Sequence, residues 1–479
     1  MDPYTFPSYR SELEYVCQGC GARYPGDRLH YACPACAGVF LLEDTGFQRL
    51  RQTPGHAWRE LFDGRQRNAL PGLQGIFRFY EMMAPVLEPE DILYLGEGLT
   101  PMVMASPELQ ARVGHPLAFK NEGQNPSGSF KDRGMACAFS RLKSLLRQGK
   151  YDHFLTICAS TGDTSASAAM YAAYAGGDIL AAVLLPQGKV TPQQLAQPLG
   201  SGARVFELPG VFDDCMRVVE YLAEHYPVAL LNSKNSWRIL GQESYAFEIA
   251  QWSAWDVRDT AVFVPIGNAG NISAVLAGFL KLMRLEIISE LPRVIGVQTA
   301  HADPIYRYFQ QPEAARSYAP VQVKPSAAQA AMIGNPVSFP RVRALAETYR
   351  SLAGEDKFQV VQVSEQAIMD CTLLANRYGH IACTQGGECL AGLFAARERG
   401  LIRARELAVL AATAHSLKFQ NFQNMYFEDR FPEAYRITAR QELVNAPELL
   451  AGSGDDTSDQ HFVRSTANQI IAGLGLKPL

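Results

Sequence analysis

One lysine sits where the backbone is tightest: in NPSGSFKDRG, Asn125 to Gly134, Lys131 follows a turn of Asn, Pro, Gly and Ser. A helical pattern begins there, from about Phe130 to Gln148, and ends at Gly149. Met135, Phe139, Leu142 and Leu146 form its apolar face, and Ser127 or Ser129 is expected to cap it. The unpaired N–H groups of a first helical turn repel a cation. An amine placed there is easier to explain as neutral or covalently engaged, and desolvated lysines of low pKa form Schiff bases with carbonyl compounds. A solvated charge at a helix start is the plain alternative, and other loops have to decide against it.

Three further loops carry polar groups at strand-to-helix junctions. ASTGDTSAS, Ala159 to Ser167, offers the hydroxyls of Ser160, Thr161 and Thr164 beside Gly162, which suits a carboxylate or phosphate at a helix N-terminus. An ordinary N-cap would need one such residue, not a cluster. PIGNAGN, Pro265 to Asn271, frees its backbone at Gly267 and Gly270, so that consecutive N–H groups can cradle a phosphate. Alone it is an ordinary glycine-rich turn. NSKNSWRILGQE, Asn232 to Glu243, brings Asn232, Ser233 and Arg238 towards a second anion, with Arg238 supplying paired donors. A single arginine in a loop is usually a surface residue, so it is the combination of loops that carries weight.

The front of the chain holds a different chemistry. Cys17 and Cys20 form one CxxC turn, Cys33 and Cys36 a second, with twelve residues between them. Two such turns facing each other complete a tetrahedral zinc shell without an open position, so the metal's expected role is stability. A redox CxxC would not come as two facing pairs. Nucleic-acid binding is disfavoured, because residues 1–45 hold Arg10, Arg23 and Arg28 against six acids. The remaining cysteines, Cys137, Cys158, Cys215, Cys371, Cys383 and Cys389, are scattered and read as reduced, buried and structural.

The elements that must position these loops are legible from about residue 150 onwards. Short apolar runs alternate with amphipathic helices: HFLTICAS, ILAAVLLP, ARVFELPG, VALLNS, AVFVPIG, RVIGVQTA and LAVLAATAHS read as strands. Such alternation predicts a doubly wound α/β protein with two parallel sheets covered on both faces, its ligand loops at the carboxyl ends of the strands. GSGDDTSD, 452–459, reads as a linker before a C-terminal helix. The chain has 479 residues, enough for two or three domains, and is 47% hydrophobic and 19% charged with a net charge of -4. That balance argues against a nucleic-acid or anionic-membrane surface. With neither a signal-like N-terminus nor an apolar run long enough to span a bilayer, the expected compartment is the cytoplasm.

Taken together, the loops resemble those of the pyridoxal-phosphate enzymes of the tryptophan-synthase β fold, and within them those of the threonine synthases. The resemblance covers nearly the whole chain: LGEGLTPM at 95–102, NPSGSFKDRG, CASTGDTSASAA, FDDC, NSKNSWRILGQE, VPIGNAGN, IGNPVSF and TAHSLK. It implies a zinc ribbon over 1–45, a large cofactor-binding domain from 46–135 and 235–479, and a small substrate-binding domain at 136–234. It also implies that Lys131 holds pyridoxal 5'-phosphate through its amine and serves as the catalytic base. Gly267, Asn268, Ala269, Gly270 and Asn271 would bind the cofactor phosphate, and Thr413 would face its ring nitrogen. Ser160, Thr161 and Thr164 would take the substrate carboxylate, while Asn232, Ser233 and Arg238 would grip a substrate phosphate. Asp163 stands where many members have Asn beside the cofactor's phenolic oxygen. In GHIACTQGGECLAG many relatives have a Glu-Pro-containing loop, so Thr384 competes with Thr413 for the ring nitrogen. The implied reaction turns O-phospho-L-homoserine and water into L-threonine and phosphate. The rival readings are a β-replacing synthase acting on phosphoserine and a hydroxyamino-acid dehydratase. The implied partners are a small-molecule substrate and a second copy of the chain in a homodimer.

Overall fold

A computed structural model describes residues 2–66, 70–158, 162–187, 192–210, 212–450 and 460–476. Ser160, Thr161 and the 452–459 linker lie outside the described residues.

The chain opens with a three-stranded antiparallel sheet, β1 (Leu13–Cys17), β2 (Arg23–Pro25) and β3 (Phe40–Asp44), in the order β2-β1-β3. Cys17 pairs with Phe40 across it. Strands β4 (Met102–Met104) and β5 (Leu117–Asn121) follow, then helix α1 (Lys131–Arg147). A parallel four-stranded sheet comes next: β6 (Phe154–Cys158), helix α2 (Asp163–Ala175), β7 (Ile179–Pro186), helix α3 (Pro192–Gly200), β8 (Arg204–Leu208), helix α4 (Phe212–His225) and β9 (Val228–Leu230), in the order β8-β7-β6-β9. Helix α5 (Ser236–Gln242) returns the chain to the larger sheet.

That sheet adds β10 (Thr260–Pro265), helix α6 (Gly270–Arg284), β11 (Arg293–Thr299), helix α7 (Phe339–Ala353), β12 (Phe358–Val363), helix α8 (Thr384–Glu398) and β13 (Leu407–Ala412). Its order is β12-β11-β10-β13-β5-β4. The central run Ala261–Val264 is wholly buried, as a parallel strand covered on both faces must be. Helix α6 buries all but a few of its residues. A last helix, α9 (Gln460–Gly473), follows the linker. No helix among the described residues is long and apolar enough to cross a membrane.

Two expectations need correction. The larger sheet is not wholly parallel, since β4 runs antiparallel to β5 at its edge. Only the short helix Pro107–Val113 separates the two strands, and a connection that short favours an antiparallel partner over a parallel crossover. Neither Ser127 nor Ser129 caps α1: both hydroxyls are buried without a partner, and Phe130 precedes the helix without a side-chain cap. The Asp132 carboxylate instead accepts the Ser127 N–H at 2.6 Å, tying the turn to the helix from inside. All ten cysteines are unpaired, and the six scattered ones are buried.

Candidate active site

The carboxyl ends of β10 and β13 and the start of α1 meet at an open cavity. Lys131, the first residue of α1, lines it together with Asp163, Ser233, Arg238, Gly267, Asn268, Ala269, Gly270, Asn271 and Thr413. The loop before α1 is stitched to the segment after β13: the Phe130 N–H donates to the Thr413 carbonyl at 2.9 Å, and Ser129 pairs with Ala414. This fixes Lys131 beside Thr413.

The Lys131 amine lies 4.4 Å from the centre of the Phe130 ring, and among the described residues no acceptor pairs with it. Burial and the nearby Arg238 charge push it down to about 8, against the opposing pull of Asp163. Near neutrality a useful fraction of this amine is therefore unprotonated and nucleophilic.

The turn between β10 and α6 forms the second wall. Ala269 adopts a left-handed conformation (φ 62°), which aims the N-terminus of α6 at the cavity. A Cβ on Gly267 would stand 2.8 Å from the Ala330 carbonyl oxygen, so the turn needs a residue without one. Both side-chain polar atoms of Asn271 are buried and unpartnered.

Opposite, α5 presents Arg238, which is 2% exposed. Its Nη1 donates to the Leu231 carbonyl at 2.8 Å, its Nε has no partner among the described residues, and burial pushes the guanidinium down to about 10. Among the described residues no carboxylate pairs with it. A buried cation without a counter-ion, facing a cavity, is a site for an incoming anion.

The placement of the other expected residues is uneven. Asn232 is not part of the cavity lining; its side chain accepts the Lys234 N–H at 2.9 Å. Thr164 is half-buried in the first turn of α2 and also outside the lining. Of the two competing threonines, Thr413 lines the cavity, 3.6 Å from the Cys383 sulfur, whereas the Thr384 hydroxyl is buried, unpartnered and outside it.

Several lining residues escaped the sequence reading: Gln385, both of whose amide atoms lack partners, Gln242, and Phe130. Lys418 was also missed. Its amine meets Asp163 at 3.0 Å, the Ser127 carbonyl at 2.9 Å and the Gln197 side chain at 2.8 Å, and so joins the two walls of the cleft. Each of these residues lay within or next to a stretch singled out for another member, and no local signal separated them from it.

At the front of the chain the sulfurs of Cys17, Cys20, Cys33 and Cys36 lie within 4.8 Å of one another. The Cys17 and Cys36 sulfurs lie 3.4 Å apart, and those of Cys20 and Cys33 3.7 Å.

An amine of lowered pKa, a helix N-terminus and a buried guanidinium thus face one cavity. Residues 93–413 match the family described as pyridoxal-phosphate dependent enzyme. The threonine synthase of Methanocaldococcus jannaschii is 37% identical over 404 residues, covering 84% of this chain and 92% of that protein. The threonine synthase of Mycobacterium tuberculosis is 36% identical over 350 residues, 72% of this chain and 88% of that one. Among solved structures, threonine synthase from Escherichia coli superposes with a TM-score of 0.62 over 85% of this chain and 90% of that one, at 17% identity, a likeness of fold. The chain belongs to the pyridoxal-phosphate dependent enzymes and, within them, to the threonine synthases.

Proposed function

We propose that this chain converts O-phospho-L-homoserine and water into L-threonine and phosphate with pyridoxal 5'-phosphate as cofactor. The observation that carries the choice of substrate is Arg238, a buried guanidinium without a carboxylate partner among the described residues, facing the cavity that Lys131 enters. The residues present fit the cofactor. Lys131 offers the amine for its aldehyde, and the N–H groups at the start of α6, with Gly267 and the unpartnered Asn271, offer a phosphate cradle. Thr413 is the hydroxyl on the cavity wall for the ring nitrogen, and Asp163 stands for the phenolic side with Lys418 as its counter-charge.

When bound, the cofactor supplies an electron sink for charge developing at the substrate's Cα. The protein's part is positioning and proton handling. Lys131 is the base that takes the Cα proton and then a Cβ proton, which lets phosphate leave from Cγ, and it returns one proton to Cγ. Water adds its hydroxyl at Cβ, its own proton goes to the departed phosphate, and Lys131 returns the second proton to Cα. Arg238 and Ser233 hold the phosphate before and after it leaves, and a charge-assisted bond in a closed site is far stronger than the same bond in water. The loop holding Ser160 and Thr161, with Thr164, takes the substrate carboxylate.

The four clustered thiolates hold zinc: a tetrahedral site with bonds of about 2.3 Å spaces its sulfurs about 3.8 Å apart, and the observed pairs at 3.4 and 3.7 Å need little adjustment. A reducing cytoplasm suits ten unpaired thiols. The presence of three separate sheets supports a division into a ribbon, a large cofactor-binding unit and a small substrate-binding unit.

The test is a turnover assay of the purified holoenzyme on O-phospho-L-homoserine, following phosphate and threonine together. Equal amounts of both products support the reading. Turnover only of phosphoserine with sulfide or sulfite would make the chain a β-replacing synthase.

A further inference from the structure

We propose that the N-terminal ribbon is a working part of the anion grip: through Arg341 and α5 it sets the position of Arg238. This rests on the reading of Arg238 as the holder of the substrate phosphate. Arg341, in the first turn of α7, is fully buried, and among the described residues no carboxylate pairs with it. All five of its N–H groups find neutral acceptors. Nε donates to the Phe40 carbonyl of the ribbon at 2.7 Å. Nη1 donates to the Ser233 carbonyl at 2.6 Å and the Ser338 hydroxyl at 2.9 Å. Nη2 donates to the Lys234 carbonyl at 3.1 Å and the Ser236 hydroxyl at 3.4 Å.

One planar group thus clamps the ribbon to the loop whose Leu231 carbonyl orients Arg238. The ribbon also grips α5 directly. Ser236 donates to the same Phe40 carbonyl at 2.9 Å, and the Trp237 indole N–H donates to the Tyr15 hydroxyl at 2.8 Å. Arg238 is the next residue along the helix.

A clamp that only held the fold together would cost stability wherever it was cut. A clamp that positions Arg238 has a narrower signature, because it affects an anionic ligand and nothing else in the cycle. Arg341 does not line the cavity and is a positioning residue.

The experiment uses holoenzyme of the wild type, Tyr15→Phe, Arg341→Lys, Arg238→Ala and the double variant Tyr15→Phe/Arg238→Ala. It measures kcat and KM for O-phospho-L-homoserine, the inhibition constant of inorganic phosphate, and the cofactor's visible absorbance. Tyr15→Phe and Arg341→Lys are expected to raise KM and the phosphate inhibition constant roughly five- to tenfold, the effect of about one lost hydrogen bond. Their kcat and absorbance should stay near the wild-type values, and Tyr15→Phe should add nothing once Arg238 is gone. Tyr15→Phe removes a single oxygen and decides the matter if Arg341→Lys does not fold. Unchanged KM and inhibition constants in the single variants, or an equal loss on the Arg238→Ala background, would overturn the proposal while leaving Arg238's own role intact. If Arg238→Ala itself changes neither constant, the phosphate-grip reading fails, and this one with it.

Discussion

At the scale of single residues, the site is a contest of charges over one amine. Asp163 faces Lys131 and favours its protonated form, while Lys418 holds Asp163 at 3.0 Å and blunts that pull. The other charges in reach are Arg238, which opposes protonation of Lys131, and Asp132, which lies close enough to feel Lys418. Only the neutral amine attacks an aldehyde, so the rate of cofactor uptake by cofactor-free protein should rise with pH through about 8. Lys418→Met releases Asp163 to Lys131 and should move that rise up by about one unit, the usual size of a nearby-charge effect. Rapid-mixing absorbance over a pH series would show it, and an unmoved midpoint would exclude Lys418 from the contest. Arg238→Ala should raise KM for the phosphorylated substrate while sparing the cofactor spectrum. Lys131 was legible from its neighbours, because a tight turn of Asn, Pro, Gly and Ser directly before a helix marks a constrained amine. Lys418 was not, since its partner Gln197 lies 221 residues away and nothing local announces such a meeting.

At the scale of elements, α1 is held at its start by a buried ion network, and that network keeps Lys131 at the cavity. Arg133 donates to Glu122 at 2.6 Å and to Glu248 at 2.7 Å, with Lys120 also 2.7 Å from Glu248. The guanidinium holds both carboxyls below their ordinary range despite their burial. Arg133→Met would leave two buried carboxylates short of their counter-charge, a loss of about 3–5 kcal/mol. Denaturant unfolding measures it, and a change under 1 kcal/mol would show that the network relaxes around the gap. The ribbon gives a second element-scale expectation: about one zinc per chain by metal analysis, and a lower Tm after chelation. Absence of metal, with a Tm indifferent to chelator, would refute it. The α/β class was legible because buried parallel strands are written as continuous apolar runs such as AVFVP. The edge strand MVM and the strand LAFKN were missed. One is three residues long, and the other buries a lysine whose nearest carboxylate partner, Glu248, lies 128 residues away.

At the scale of the whole molecule, buried acids set how stability follows pH. Glu97 is fully buried, with one oxygen accepting the Tyr171 hydroxyl at 2.7 Å and the other unpartnered, and burial pushes its carboxyl up to about 8. The folded state then binds a proton that the unfolded chain releases near its ordinary 4.5. Stability from this group is complete at low pH and is lost as pH rises towards 8, by about 1.4 kcal/mol per pH unit across the window. Glu97→Gln keeps the shape without the titration, so its Tm should fall less than that of the wild type between pH 6 and pH 8. Parallel slopes would refute the assignment. The clamp between Phe40 and Arg341 has a consequence in time as well as in space, because its two ends are 301 residues apart in the chain. A ribosome adding 5–20 residues each second takes roughly 15–60 s to make that interval. The ribbon therefore waits without its Arg341 contact through that interval. A fold of its own, independent of those later segments, is what such a wait requires.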